Sequence, residues 1–122
     1  ATLINQKLLS DKYYSEAKSK ALLRRGYSLN KIRYSLIQKG IDQKYIQASI
    51  SKIKENESDP DFFSAIKLCK RRRIGASRPE GNRSLFFKKD ISILARSGFS
   101  YEVSKKVLDV PREEFRKFCK MI

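Results

Sequence analysis

Apolar residues recur along this chain at helical spacing, in short runs separated by polar or glycine-containing breaks. Leu29, Ile32 and Leu36 stand at i, i+3 and i+7, and Tyr45, Ile46, Ile50 and Ile53 form the next face. Phe62, Ala65, Ile66 and Cys69 follow, then Leu85, Phe86, Ile91, Leu94 and Ala95, and then Val103, Val107 and Leu108. Val110-Pro111 breaks the pattern, after which Phe115, Phe118, Cys119 and Ile122 make a last amphipathic turn or two. This spacing lines one face of a helix with apolar side chains. No useful stretch alternates with period two and β-branched residues do not cluster, so the pattern predicts an all-α fold.

Three of the breaks share one form, G-[Y/I/F]-[S/D]: Gly26-Tyr27-Ser28, Gly40-Ile41-Asp42 and Gly98-Phe99-Ser100. Glycine takes the left-handed conformation that ends a helix, and a Ser or Asp two residues later accepts hydrogen bonds from the amides opening the next one. The chain therefore stops and restarts within three residues. The apolar residue between them is placed to staple onto N4 of the following helix, Tyr27 onto Ile32 and Ile41 onto Ile46. At Phe99 the N4 residue is Ser104, which weakens that staple.

The first helix is expected to be capped at Ser10 or Asp11 and to run to about Arg25, with Tyr14, Ala17, Ala21 and Leu22 or Leu23 inward. Leu3, Ile4, Leu8 and Leu9 precede it at helical spacing and read as the tail of another element. Lys54-Glu55-Asn56-Glu57 reads as a polar hinge. Ser58-Asp59-Pro60-Asp61 is a helix start with proline at about N1. The helix behind it ends in Lys70-Arg71-Arg72-Arg73, a loop marked by Gly75, Pro79 and Gly81 follows, and a helix begins near Asn82. The expected organisation is residues 1 to 9 as a tail, 10 to 57 as a three-helix unit, and 58 to 122 as a second such unit plus a C-terminal helix. Such an array of tandem helix-turn-helix-like repeats is elongated and can be curved. By letters Gly98 matches Gly26, since LLRRGYS aligns with LARSGFS; by architecture it matches Gly40, because both precede the third helix of a unit.

Composition narrows the function. The chain has 122 residues, enough for one modest core, and carries a net charge of +15 with a pI near 10.0. A surface that cationic points to nucleic acid or an acidic partner. No apolar run approaches a spanning helix and no signal peptide is visible, so a membrane is not expected and the cytoplasm is. Histidine is absent and the two cysteines, Cys69 and Cys119, lack metal-ligand spacing, which excludes His-based triads and most zinc sites. No carboxylate pair suggests acid-base work and no phosphate-cradling loop is present, so neither an enzyme nor a cofactor is expected.

The candidate binding residues are basic: Lys20, Arg24, Arg25 and Arg33 in the first unit, and Lys70, Arg71, Arg72, Arg73, Arg78, Arg83, Lys88, Lys89, Arg96, Lys105 and Lys106 in the second. The cluster from Lys70 to Arg73 stands out, because the loop after it adds Arg78 and Arg83 with little acid nearby. Guanidinium forks suit phosphate or carboxylate. Tyr13, Tyr14, Tyr27 and Tyr34 could stack on bases but are assigned to core or rim packing. Asp11 and Asp42 read as caps, and Asp59 and Asp61 as partners for neighbouring cations.

In this order the residues resemble the RecX family, regulators of the RecA recombinase built of tandem three-helix repeats. Leu9-Ser10-Asp11-Lys12-Tyr13-Tyr14-Ser15-Glu16-Ala17 is similar to the opening of the family's second repeat. Leu23-Arg24-Arg25-Gly26-Tyr27-Ser28, Ile32-Arg33, Leu36 and Lys39-Gly40-Ile41 resemble its middle, and Ala95-Arg96-Ser97-Gly98-Phe99-Ser100-Tyr101 with Val107-Leu108 resembles the ending. Ser97 and Ser104 depart from the usual arginine and isoleucine, residues 110 to 122 run past the usual end, and of the first repeat only residues 1 to 9 are expected in this sequence. The resemblance implies a monomeric, non-enzymatic modulator that lies in the groove of the RecA filament on single-stranded DNA. It would interfere there with strand exchange and coprotease activity, and it could touch single-stranded or duplex DNA through the backbone. The competing reading is a sequence-specific helix-turn-helix DNA-binding protein with Ser28 to Lys39 as recognition helix and Asn30, Arg33 and Gln38 as base readers.

Overall fold

All three glycine triplets fold as helix stops followed by side-chain caps. In the computed structural model, which describes the backbone from Thr2 and the side chains from Ser10, Ser28 Oγ accepts from Lys31 N at 3.1 Å, Asp42 Oδ1 from Lys44 N at 3.0 Å and Ser100 Oγ from Val103 N at 3.2 Å. They separate α1 (Thr2–Arg24) from α2 (Leu29–Gln38), α2 from α3 (Gln43–Asn56), and α6 (Phe87–Arg96) from α7 (Tyr101–Leu108). Between lie α4 (Pro60–Arg72), a 3-10 turn at Gly75–Ser77 and the single-turn α5 (Glu80–Arg83), and α8 (Arg112–Met121) follows the break at Pro111. No strand occurs among the described residues, and the fold is all-α.

Several expected boundaries move. α1 runs unbroken through Ser10 and Asp11, so neither is a helix start; the side chains of Leu3, Ile4, Leu8 and Leu9 lie outside the described residues. α3 extends through the expected hinge to Asn56. The helix expected from Asn82 is split into α5 and α6 by a turn at residues 84 to 86, which leaves Leu85 exposed. Asp59 occupies the N-cap of α4 without a side-chain cap bond, and Pro60 takes the first helical position.

Two apolar clusters form. One gathers Leu22 and Leu23 from α1, Ile32 and Leu36 from α2, and Ile41, Ile46, Ile50 and Ile53 around α3. The other is built on Phe62, Ala65, Ile66, Leu68 and Cys69 of α4 with Leu94, Phe99, Val107, Leu108 and Phe115. Phe118 of α8 meets the rings of Phe62 and Phe63 edge-on at 5.2 and 5.8 Å. The inward face of α1 is more polar than its pattern predicts: Tyr14 and Ala17 are exposed, whereas Ser15 and Ser19 are buried. Their hydroxyls donate to carbonyls three residues back, and Ser49 Oγ of α3 donates to Ser15 Oγ at 3.3 Å, so α1 and α3 meet through small satisfied side chains.

The clusters are joined where the first and third triplets meet. Ser28 Oγ, besides capping α2, donates to the carbonyl of Ser97 at 3.0 Å. Gly98 (φ +93) lies so close beneath it that a Cβ there would collide with Ser28 Oγ, and a Cβ on Gly26 (φ +87) would press on Lys67 Cβ at 3.1 Å and Ser64 O at 3.2 Å. From α4, Asp61 Oδ1 accepts from Leu29 N at 2.9 Å, adding a second cap to α2 from a distant part of the chain. Burial raises the Asp61 pKa above its ordinary value even though this bond opposes the shift. Ser104 is fully buried, its hydroxyl donating to Ser100 O at 2.8 Å.

The loop after α4 is held by side chains expected to be free. Arg78 makes a bidentate pair with the buried Asp90, Nε and Nη2 donating at 2.9 and 2.8 Å, and its guanidinium lies 4.3 Å from the Phe86 ring centroid. Gly75 N donates to the same carboxylate at 3.0 Å. Arg83 Nη2 donates to Leu108 O at 2.8 Å and Val110 O at 2.7 Å, satisfying carbonyls at the end of α7. Cys69 is fully buried, and that burial pushes its thiol up to about 12, consistent with a structural residue.

These contacts set the stability of five variants. Gly40→Ala, at a positive φ with open space around it, should cost about 1 kcal/mol in chemical denaturation, whereas Gly98→Ala should cost about 3 kcal/mol because Ser28 must also move. Asp61→Ala should lose about 1 kcal/mol of capping. Asp61→Asn keeps the acceptor, and since a raised folded pKa means stability is lost as the carboxyl ionises, its stability relative to wild type should rise with pH through that raised value. Arg78→Ala should cost about 3 kcal/mol by leaving Asp90 buried without its cation; a loss under 1 kcal/mol would contradict the bracing role.

Candidate functional site

The C-terminal ends of α1 and α4 converge beside the joint. Arg24 from α1 and Lys67, Lys70 and Arg71 from α4 line a shallow groove of about 370 Å³ together with Ile122. Both helices end in cations because the carbonyl ends of the helices favour them. α4 also caps α1 directly: Lys67 Nζ reaches Leu23 O at 3.4 Å, and Arg71 Nη1 donates to Arg25 O at 2.8 Å. None of the three ion pairs among the described residues involves this groove, so its four cations are not ion-paired there.

The expected basic residues fall into distinct groups. Arg24, Arg25, Lys70, Arg72 and Arg73 are exposed around the convergence, Arg73 as the left-handed C-cap of α4 (φ 57). Arg71 is exposed but anchored on α1. Arg78 and Arg83 are taken out of the candidate surface by the contacts that brace the loop and α7. Lys106 is exposed, pairs at the surface with Asp59 at 3.2 Å and lies 5.0 Å from the Phe62 ring centroid, a pairing that solvent screens and that leaves its amine accessible. Lys20, Lys88, Lys89, Arg96 and Lys105 are exposed and Arg33 is half-buried, and none of them makes an ion pair.

Lys67 escapes sequence reasoning because it sits between Ile66 and Leu68 on an otherwise apolar stretch. Its spacing of three and four residues before Lys70 and Arg71 was the available signal. The tyrosine assignment also changes: Tyr27 packs against the first cluster, but Tyr13 and Tyr34 are 68% and 60% exposed. Gln38 Nε2 donates to Tyr34 Oη at 3.0 Å.

The N-terminus of α2 is occupied from several sides. Ser28 is fully buried, Leu29 N is bound to Asp61, and Lys31 borders the Gly98 turn. The first turn of α2 is therefore partly an internal contact surface, through Ser28, Leu29 and Ile32, while Asn30 and Lys31 are exposed. Among the described residues no group of three His, Cys, Asp or Glu side chains could hold a metal ion, and no helix is long and apolar enough to cross a membrane.

The chain is 31% identical over 110 residues to the regulatory protein RecX of Myxococcus xanthus, an alignment covering 89% of this chain and 58% of that protein. It is 27% identical over 101 residues to RecX of Clostridium perfringens, covering 83% of this chain and 46% of that protein. With RecX of Clostridium botulinum it shares 34% over 80 residues, 65% of this chain and 36% of that protein. The chain thus spans about half the length of the curated relatives it matches. No family model and no solved structure matches it. In the order of its capped helices and in these alignments, which reach across most of its length, the chain belongs to the RecX family.

Proposed function

We propose that this chain is a non-enzymatic regulator that docks on the RecA filament formed on single-stranded DNA and inhibits its recombinase and coprotease activities. The relatives are named regulatory proteins RecX, and single-stranded DNA in such a filament carries phosphates that suit a cationic face. The observation that carries the reading is the groove at the α1–α4 convergence, where Arg24, Lys67, Lys70 and Arg71 stand together without a paired acid. Arg25, Arg72 and Arg73 extend that face, with Lys88, Lys89, Arg96 and Lys105 as further exposed cations. In this reading α1, α2 and α3, and α4, α6 and α7 with the single-turn α5 inserted, are two copies of one three-helix unit, the protein acts as a monomer in the cytoplasm, and its joint holds the two units in one relative orientation.

A sequence-specific helix-turn-helix reader is the weaker reading. Such proteins present the N-terminal residues of the recognition helix to base edges. Here those residues cap α2 and meet α4 and the Gly98 turn, leaving Asn30, the half-buried Arg33 and the Tyr34-bonded Gln38 as thin material for base readout.

The triple variant Arg24→Ala, Lys70→Ala, Arg72→Ala avoids every anchoring cation. It should retain wild-type helicity and inhibit RecA-dependent ATP hydrolysis on single-stranded DNA markedly less. If the three cations contact phosphates, the slope of log affinity for single-stranded DNA against log salt should fall in magnitude by about 2. Full inhibition by the folded variant would contradict the assignment of this face.

A further inference from the structure

The most exposed large apolar side chain among the described residues is Leu85, 74% exposed, at the turn between α5 and α6. A leucine standing alone at a surface is ordinary. This one differs in what holds it and in what surrounds it. On one side Arg83 is bound to two carbonyls at the end of α7; on the other, Phe86 lies under Arg78, which is itself locked on the buried Asp90. Phe86 N also donates to Asn82 O at 3.0 Å, closing the turn. The backbone carrying Leu85 is fixed before any ligand arrives, so little ordering remains to be done on binding.

Lys88 and Lys89 are exposed three and four residues further on, one helical turn from Leu85. Neither makes an ion pair: Asp90 is engaged with Arg78 and Glu80 with Arg83, Asp109 lies across the groove beside Ser84 and Phe87 without reaching either lysine, and Lys89 Nζ stands 5.8 Å from the Phe86 ring centroid. An apolar tip on a fixed turn, flanked by two unneutralised amines, fits a ligand in which apolar faces alternate with anions. Unstacked nucleic acid bases with their phosphates have that chemistry. A protein pocket fits less well, because lysine is depleted at the cores of protein interfaces.

We propose that Leu85 is a wedge that inserts against unstacked bases of single-stranded nucleic acid, with Lys88 and Lys89 holding the adjoining phosphates. The proposal rests on reading the cationic face as a nucleic-acid surface and adds to it a contact with the bases themselves. The sequence contains no tryptophan, so Leu85→Trp introduces a single indole at an exposed position where the fold is not expected to change.

The experiment titrates folded Leu85→Trp protein with oligothymidine, with polyphosphate and with RecA lacking DNA, following indole fluorescence together with the anisotropy of a labelled oligothymidine. Strong quenching by oligothymidine, at least about twofold, with little by polyphosphate is the expected result. Leu85→Ala should weaken oligothymidine binding roughly fivefold, the scale of one lost base contact. Oligothymidine binding by anisotropy with no quenching, equal quenching by polyphosphate, or an indole response confined to RecA would overturn the wedge while leaving the cationic face in place. Absence of oligothymidine binding by anisotropy would overturn the nucleic-acid reading of the face, and the wedge with it.

Discussion

The contact of Ser28 with the Gly98 turn is the constraint on which the two clusters depend. One hydroxyl accepts from the amide of Lys31 and donates to the carbonyl of Ser97, so it ends one helix break and binds another. Only a glycine fits beneath it. Asp61, Lys67 and Arg71 then reach from α4 to the amide opening α2 and the carbonyls closing α1. Helix ends that would otherwise need solvent are satisfied by a neighbouring element, which couples local capping to the relative placement of the two halves.

The same coupling explains how the basic residues divide. A chain with a charge of +15 has few acids to spare, and the structure uses them sparingly: Asp90 holds Arg78, Asp59 holds Lys106, and Glu80 sits beside Arg83. Lys67 and Arg71 make their contacts to backbone carbonyls instead. Around the α1–α4 convergence this leaves full positive charges concentrated next to a rigid joint, a preorganised arrangement for an anionic surface.

Much of the fold was legible because its rules are local. Glycine triplets, capping hydroxyls and apolar spacing predicted α2, α3, α4 and α7 and the break at Pro111, and the same residues carried the family resemblance. What was not legible depends on distant partners. Nothing near Arg78 in sequence shows that Asp90 is buried beneath it, and nothing near Arg83 points to the end of α7. Ser15 and Ser19 look like solvent-facing positions until Ser49 arrives from α3. The candidate site was half legible: the run from Lys70 to Arg73 is plain in the sequence, but its meeting with Arg24 and the inclusion of Lys67 come from the joint.

The central claim is that the cationic face beside this joint acts on a nucleoprotein filament and not on a particular duplex sequence. The most direct measurement adds the chain, at matched salt, to a preformed RecA filament on single-stranded DNA and to a library of naked duplexes. Binding to the filament with loss of its ATP hydrolysis, and weak, sequence-indifferent, salt-sensitive binding to duplex, is the predicted result. An unaffected filament together with tight binding to one duplex sequence would contradict it.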